Sequence, residues 1–126
     1  MIRTELQLRL PNSPGALASV CQLLADDRVN IIAMSLDAGG HCRFIVDNPV
    51  RASGLLRDQH HRVTERDVIV LSVAGGPGAI VPMLALVRDA GVNLNYVYGG
   101  AAEGSPTAAV VLGVDDAQRA AAAAGI

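Results

Sequence analysis

With 126 residues, 51% of them apolar, and a formal net charge of −2, the chain can build one ordinary domain or two very small ones sharing a core. Its positive charge is all arginine and forms no basic run, which argues against the clustered footprint of a nucleic-acid binder. No apolar stretch reaches the ~20 residues of a bilayer span, and Glu5, Gln7 and Arg9 interrupt the N-terminus where a secretory signal needs an apolar core, so a cytoplasmic location is expected.

From Thr4 to Leu10 the residues alternate. Leu6, Leu8 and Leu10 point one way and Glu5, Gln7 and Arg9 the other, the pattern of a half-buried strand. Pro11 ends it. Ser13 is expected to cap a helix with Pro14 at its first position, where a missing N–H costs nothing. That helix runs to about Asp27, with Leu17, Val20, Cys21 and Leu24 as its apolar stripe. Asn30 to Leu36 and His41 to Val46 read as strands joined by a turn at Asp37 to Gly40. Asn48-Pro49 starts a short helix that carries Ala52, Leu55 and Leu56 inward. Strand-like residues around His61 to Thr64 close this half. The order strand, helix, strand, strand, helix, strand packs economically as a four-stranded antiparallel sheet with both helices on one face.

The next strand, Val68 to Val73, is apolar on both faces except for Ser72, as an enclosed strand would be. Gly75-Gly76-Pro77-Gly78 supplies no side-chain cap, and Pro82 falls inside the helix that follows. A late start near Ala79, with Pro82 in the first turn, is preferred to a kink. Asn93 to Tyr98 reads as a strand, Gly99 to Pro106 as a long turn, and Ala108 to Leu112 as another enclosed strand. Asp115 is expected to cap a final alanine-rich helix ending near Gly125. This half has no closing strand. Its sheet edge is either left open or covered, by the Val63 region crossing over or by a second chain.

The two halves are related. Pro14-Gly15-Ala16-Leu17 returns 63 positions later as Pro77-Gly78-Ala79-Ile80, and Val29-Asn30-Ile31 returns at the same offset as Val92-Asn93-Leu94. The stripe Leu17, Val20, Cys21, Leu24 lines up with Ile80, Met83, Leu84, Val87. Two copies of one α/β unit are therefore expected, 1–66 and 67–126, the second lacking its final strand.

A strand ending in Asn-x-Pro-Gly, then an amphipathic helix, then Val-Asn-Ile resembles the ACT domain. The resemblance covers nearly the whole chain as a tandem pair. It implies α+β modules of ferredoxin-like βαββαβ form, antiparallel sheets with helices on one face. It also implies a non-catalytic regulatory or sensor role, with an amino acid or similar small metabolite bound at an interface between paired modules. The residues so implied are Asn12, Ser13, Gly15, Asn30 and Ile31 in one copy and Gly76, Gly78, Asn93 and Leu94 in the other. The implied partners are a second copy of the chain or a metabolic enzyme, and the alternative role is a ligand-free regulatory subunit of such an enzyme. The loop chemistry agrees: free N–H groups at a helix start suit a carboxylate, and glycine lets a ligand approach the backbone. Gly75-Gly76 has no polar side chain where Asn12 and Ser13 stand, so the first loop is the better candidate.

Other constellations point elsewhere. His60 and His61 are adjacent, and neighbouring strand residues face opposite ways, so they do not converge on a metal. No nucleophile–base motif surrounds Cys21, and Gly75-Gly76-x-Gly78 lacks the Lys-Ser/Thr of a phosphate loop; no catalytic residue, metal or cofactor is expected. Cys21 and Cys42 sit in apolar patterns and are expected as free thiols. Tyr96 and Tyr98, on one strand face, either pack in the core or wall an interface or pocket.

Overall fold

The leucine alternation near the N-terminus forms strand β1 (Ile2–Arg9) of a computed structural model that describes residues 1–126. The chain divides into two compact units: Thr4–Arg66, and Asp67–Ile126 together with Met1–Arg3. The first contains most of β1, then α1 (Ala16–Asp26), β2 (Ile31–Leu36), β3 (His41–Val46) and α2 (Pro49–Asp58). Its antiparallel strands lie in the order β2-β3-β1, with Leu6 opposite Phe44 and Leu8 opposite Cys42. Directly opposite residues share a face. Leu6, Leu8, Leu10, Cys42, Phe44 and Val46 therefore form one apolar sheet face, which packs with Val20 and Leu24 of α1 and Ala52 and Leu56 of α2. Both helices lie on that face, and Gln7, Arg9, His41 and Arg43 alternate onto the other.

Glu5 departs from the expected solvated face. It is fully buried, and Gln7 Nε2 donates to its Oε1 at 2.7 Å. Polarity alternation reports the two faces of a strand but not what covers the second one; a buried carboxylate then needs partners.

The expected Ser13 cap does not form. Gly15 takes a left-handed conformation (φ 82°) as N-cap, the helix begins at Ala16, and no side chain caps it. Pro14 thus precedes the helix. In α2 the expected cap is present, with Asn48 Oδ1 accepting from the Arg51 N–H at 3.2 Å. Arg51 also pairs with Asp27, and that guanidinium holds the Asp27 carboxyl below its ordinary value.

The second unit contains β4 (Thr64–Ala74, from Asp67 onward), α3 (Val81–Asp89), β5 (Tyr96–Gly100), β6 (Thr107–Gly113) and α4 (Ala117–Ala124). Strand order is β4-β6-β5, antiparallel, with Ile69 opposite Leu112 and Tyr98 opposite Val111. Ile69, Val110 and Leu112 pack with Met83 and Val87 of α3 and the alanines of α4. Each unit thus carries the strand, helix, strand, strand, helix order of a ferredoxin-like module. The late helix start is observed, with Pro82 at the second position of α3. The final cap lies one residue later than expected: Asp116 Oδ1 accepts from the Arg119 N–H at 3.0 Å, while Asp115 is taken by Asn95 Nδ2 at 2.9 Å.

The segment beside β4 in this unit is neither the Val63 region nor a second chain. Met1 lies against it: the Met1 amine donates to Val70 O at 3.0 Å and Val70 N–H donates to Met1 O at 2.8 Å. His61 to Val63 form no strand, and β4 begins at Thr64.

The caps give a direct check. Asp116→Ala is expected to cost about 1 kcal/mol of stability and Ser13→Ala no more than about 0.5 kcal/mol, measured by urea unfolding.

Candidate functional site

The Pro-Gly loops each open a cavity. In the Thr4–Arg66 unit, Asn12, Ser13 and Gly15 line a cavity of about 140 Å³ at the start of α1, with Leu36, Asp37 and Gly40 opposite. In the other unit, Gly76 and Gly78 line one of about 360 Å³ at the start of α3, walled by Val97, Tyr98 and Gly99. The α3 cavity is the larger, and its loop carries only glycine, alanine and proline. Gly99 is required there, since a Cβ would lie 2.1 Å from Ala109 O.

The chemistry at the two sites differs. Both helix starts lack a side-chain cap. The Ala16 N–H donates to Ser13 O and the Val81 N–H to Gly78 O, which leaves Leu17 and Ala18 at the start of α1 but, with Pro82 next in line, little at the start of α3. By contrast, α2 and α4 are capped by Asn48 and Asp116. The cavity at α1 adds exposed Asn12 and Ser13 and one charged group, Asp37. Asp37 Oδ1 accepts from the His41 N–H at 3.0 Å, which fixes the carboxylate at the rim. The cavity at α3 has no charged lining residue. A zwitterion therefore finds an anion-friendly helix start and a carboxylate for its ammonium only at the first.

Asn30 and Ile31 are not brought to the α1 cavity. They follow the far end of α1, about 16 Å from its start at 1.5 Å per residue. Asn30 N–H donates to Asp47 Oδ1 at 3.0 Å, and Ile31 packs against the core. Asn93 and Leu94 follow α3 in the same way. Asn93 lines a separate cavity of about 370 Å³ with Asp115, Asp116 and Arg119, and Leu94 packs against the core.

Sequence reading missed the opposite walls, Leu36 with Asp37 and Val97 with Gly99. Leu36 and Gly99 occupy equivalent places 63 residues apart, so the repeat offset was the available signal. Both walls stand on end strands of their sheets, β2 and β5. Ile32, Met34 and Leu36 of β2 and Val97 of β5 are 40, 49, 46 and 43% exposed, unusually open for large apolar residues in strands. Tyr98 is a pocket wall. Its ring stacks on Tyr96 at 6.3 Å between centroids, and Tyr96 covers Gly113, where a Cβ would meet the ring at 2.2 Å.

Both cysteines are free. Burial, with Cys21 adding to it, pushes the Cys42 thiol up from 9.0 to about 12. The folded state keeps a proton that the unfolded chain gives up. This contribution to stability is complete below pH 9 and lost as pH rises toward 12. Unfolding free energy is expected to fall in that window by up to about 1.4 kcal/mol per pH unit, and Cys42→Ala to flatten the profile.

The sequence model of the ACT domain pair family matches residues 1–123. No curated protein sequence matches the chain significantly. Among solved structures, the chain is similar to protein BT0572 from Bacteroides thetaiotaomicron, at 28% identity and TM-score 0.87, covering 98% of this chain and 86% of that one. It is also similar to the ligand-free regulatory subunit of aspartate kinase from Thermus thermophilus, at 20% identity and TM-score 0.70, covering 99% and 92%. Similarity extends to E. coli aspartokinase III in complex with lysine and aspartate, at 18% identity and TM-score 0.60, covering 94% of this chain and 30% of that one. The last two likenesses speak to fold.

Proposed function

We propose a function from one premise: the chain belongs to the ACT domain pair family. It is a non-catalytic regulatory or sensor protein that binds an amino acid or similar small zwitterion. The observation that carries this reading is the selective absence of caps. Two of four helices are capped by their own residues, and the two that follow the Pro-Gly loops are not. At α1 the Leu17 and Ala18 N–H groups stand at the wall of the cavity. At α3 the Val81 N–H donates to Gly78 O and Pro82 has none, so α1 is the helix start that can receive a carboxylate. An effector carboxylate would complete the first turn of α1, and Asp37 would hold the ammonium.

Each cavity lies beside an end strand with open backbone groups and exposed apolar side chains. Pairing of modules across β2 between two copies of the chain would cover Ile32, Met34 and Leu36 and close the cavity. The ligand then sits at an interface between modules. Similarity to a regulatory subunit of aspartate kinase, and to an aspartokinase solved with lysine and aspartate, supports an amino acid as the effector class.

The second reading is a ligand-free subunit whose exposed β2 stripe docks on a metabolic enzyme. Calorimetric titration of the full chain with each of the twenty amino acids separates the two. Saturable heat with at least one of them, accompanied by a rise in melting temperature, is expected. Silence across the whole set would leave only the docking role.

A further inference from the structure

The helix-free face of the Thr4–Arg66 unit carries a second kind of cavity. It holds about 210 Å³ and is lined by Gln7, Arg9, His41, Arg43, Arg62 and Thr64, along with backbone of the strands between them. Gln7 lies opposite Arg43, and Arg9 opposite His41, so the four stand in two adjacent cross-strand pairs. Three guanidiniums and an imidazole thus line one depression, and no carboxylate does. The nearest acid along β1, Glu5, is buried and accepts from Gln7 at 2.7 Å. Arg9 is already oriented, its Nη2 donating to Gly39 O at 3.2 Å and lying 3.4 Å from His41 Nε2. Neither Arg9 nor Arg62 takes part in the ion pairs that hold Asp27 and Asp89.

The duplication supplies an internal control. In the second unit Val70 lies opposite Val111 and Ser72 opposite Ala109, at the places of the Gln7–Arg43 and Arg9–His41 pairs. The same fold is therefore built with apolar and small residues at all four places. The basic cluster is not something the sheet requires. Arg9 and Arg62 bring two like charges to one rim, where they repel unless an anion lies between them.

We propose that this depression binds a small multivalent oxyanion, of which phosphate is the type. Arginine forks present paired N–H donors to tetrahedral oxyanions, and Thr64 adds a neutral donor at the rim. The site is on the opposite sheet face from α1 and α2, and it shares with the α1 cavity only the turn from Asp37 to Gly40.

The test uses the full-length chain at low ionic strength, titrated with inorganic phosphate and separately with glycerol phosphate, with chloride as ionic-strength control. Saturable binding of phosphate is expected, weakened about tenfold in Arg62→Gln and further in the double variant R9Q/R62Q. Tighter binding of glycerol phosphate would assign a phosphorylated metabolite, and equal binding the free ion. Circular dichroism confirms that the variants fold, and Arg62→Lys, which keeps the charge, should retain part of the affinity. Phosphate acting no differently from chloride, or binding R9Q/R62Q as well as the parent, would overturn the proposal. Amino-acid titration of Arg62→Gln, whose residue lines this depression and not the α1 cavity, should be unchanged, which separates this site from the effector cavity.

Discussion

Gly15→Asp is expected to weaken amino-acid binding by about 100-fold or more while leaving the chain folded. A charged acceptor on backbone N–H groups is worth about 1.5–3 kcal/mol per bond, and two such bonds at the start of α1 account for that factor. An aspartate placed there both occupies the N–H groups and repels the ligand carboxylate. The space exists, since a Cβ at Gly15 meets nothing within 4 Å. The conformational cost, at φ 82°, is about 1–2 kcal/mol and is lowest for Asn and Asp. Gly15→Asn is the control: it has the same shape without the charge. Calorimetry with the amino acid that binds the parent should show Gly15→Asn losing less affinity than Gly15→Asp, since its amide oxygen can still cap the helix but carries no charge to repel the ligand. Equal losses in both variants would mean that shape, not charge, decides, and the carboxylate would have to lie elsewhere.

Phe44→Ala is expected to remove about 3–5 kcal/mol of stability, a large share of the roughly 5–15 kcal/mol that holds a domain together. Phe44 is the only phenylalanine and is fully buried. It sits in the central strand β3, opposite Leu6 on one side and Met34 on the other. With so few large side chains, nothing nearby can swell into the space, and the cavity cost adds to the lost transfer energy. Ile45→Val, also fully buried, should cost only about 0.5–1.5 kcal/mol. Urea unfolding followed by circular dichroism checks both. A loss below about 1.5 kcal/mol for Phe44→Ala would show that the leucines collapse into the gap.

Local patterns carried most of this fold in the sequence. The Leu6-Leu8-Leu10 alternation and the Leu17-Val20-Cys21-Leu24 stripe give the faces that pack together, because periodicity is a direct image of burial on one side. The caps were legible only where the helix start was regular. Asn48 precedes a proline and behaves accordingly, whereas Gly15 shifts α1 past Ser13 by adopting a conformation that sequence does not display. Glu5 and the segment beside β4 were illegible for another reason. Both depend on neighbours distant in sequence, since Glu5 lies opposite Ile45 and the Met1–Val70 pair is separated by 69 residues, and neither leaves a local trace. Of the loop cavities, the Pro-Gly side was readable from the repeat. The Leu36 and Gly99 sides were legible only as a matched pair through the same offset, since nothing local says which strand end a loop will face.

The placement of Met1–Arg3 makes the Thr4–Arg66 unit, in chain order, an insertion inside the other. A cut at the repeat boundary would hand the second half over without its companion at β4. On the ribosome the chain's first residues emerge long before Val70, and must wait for it. Prior folding of the inserted unit would turn a flexible 69-residue loop into a compact bridge. Folding of the N-terminal repeat first, and closure of the C-terminal one around its ends afterwards, is the sequence of events that this threading favours.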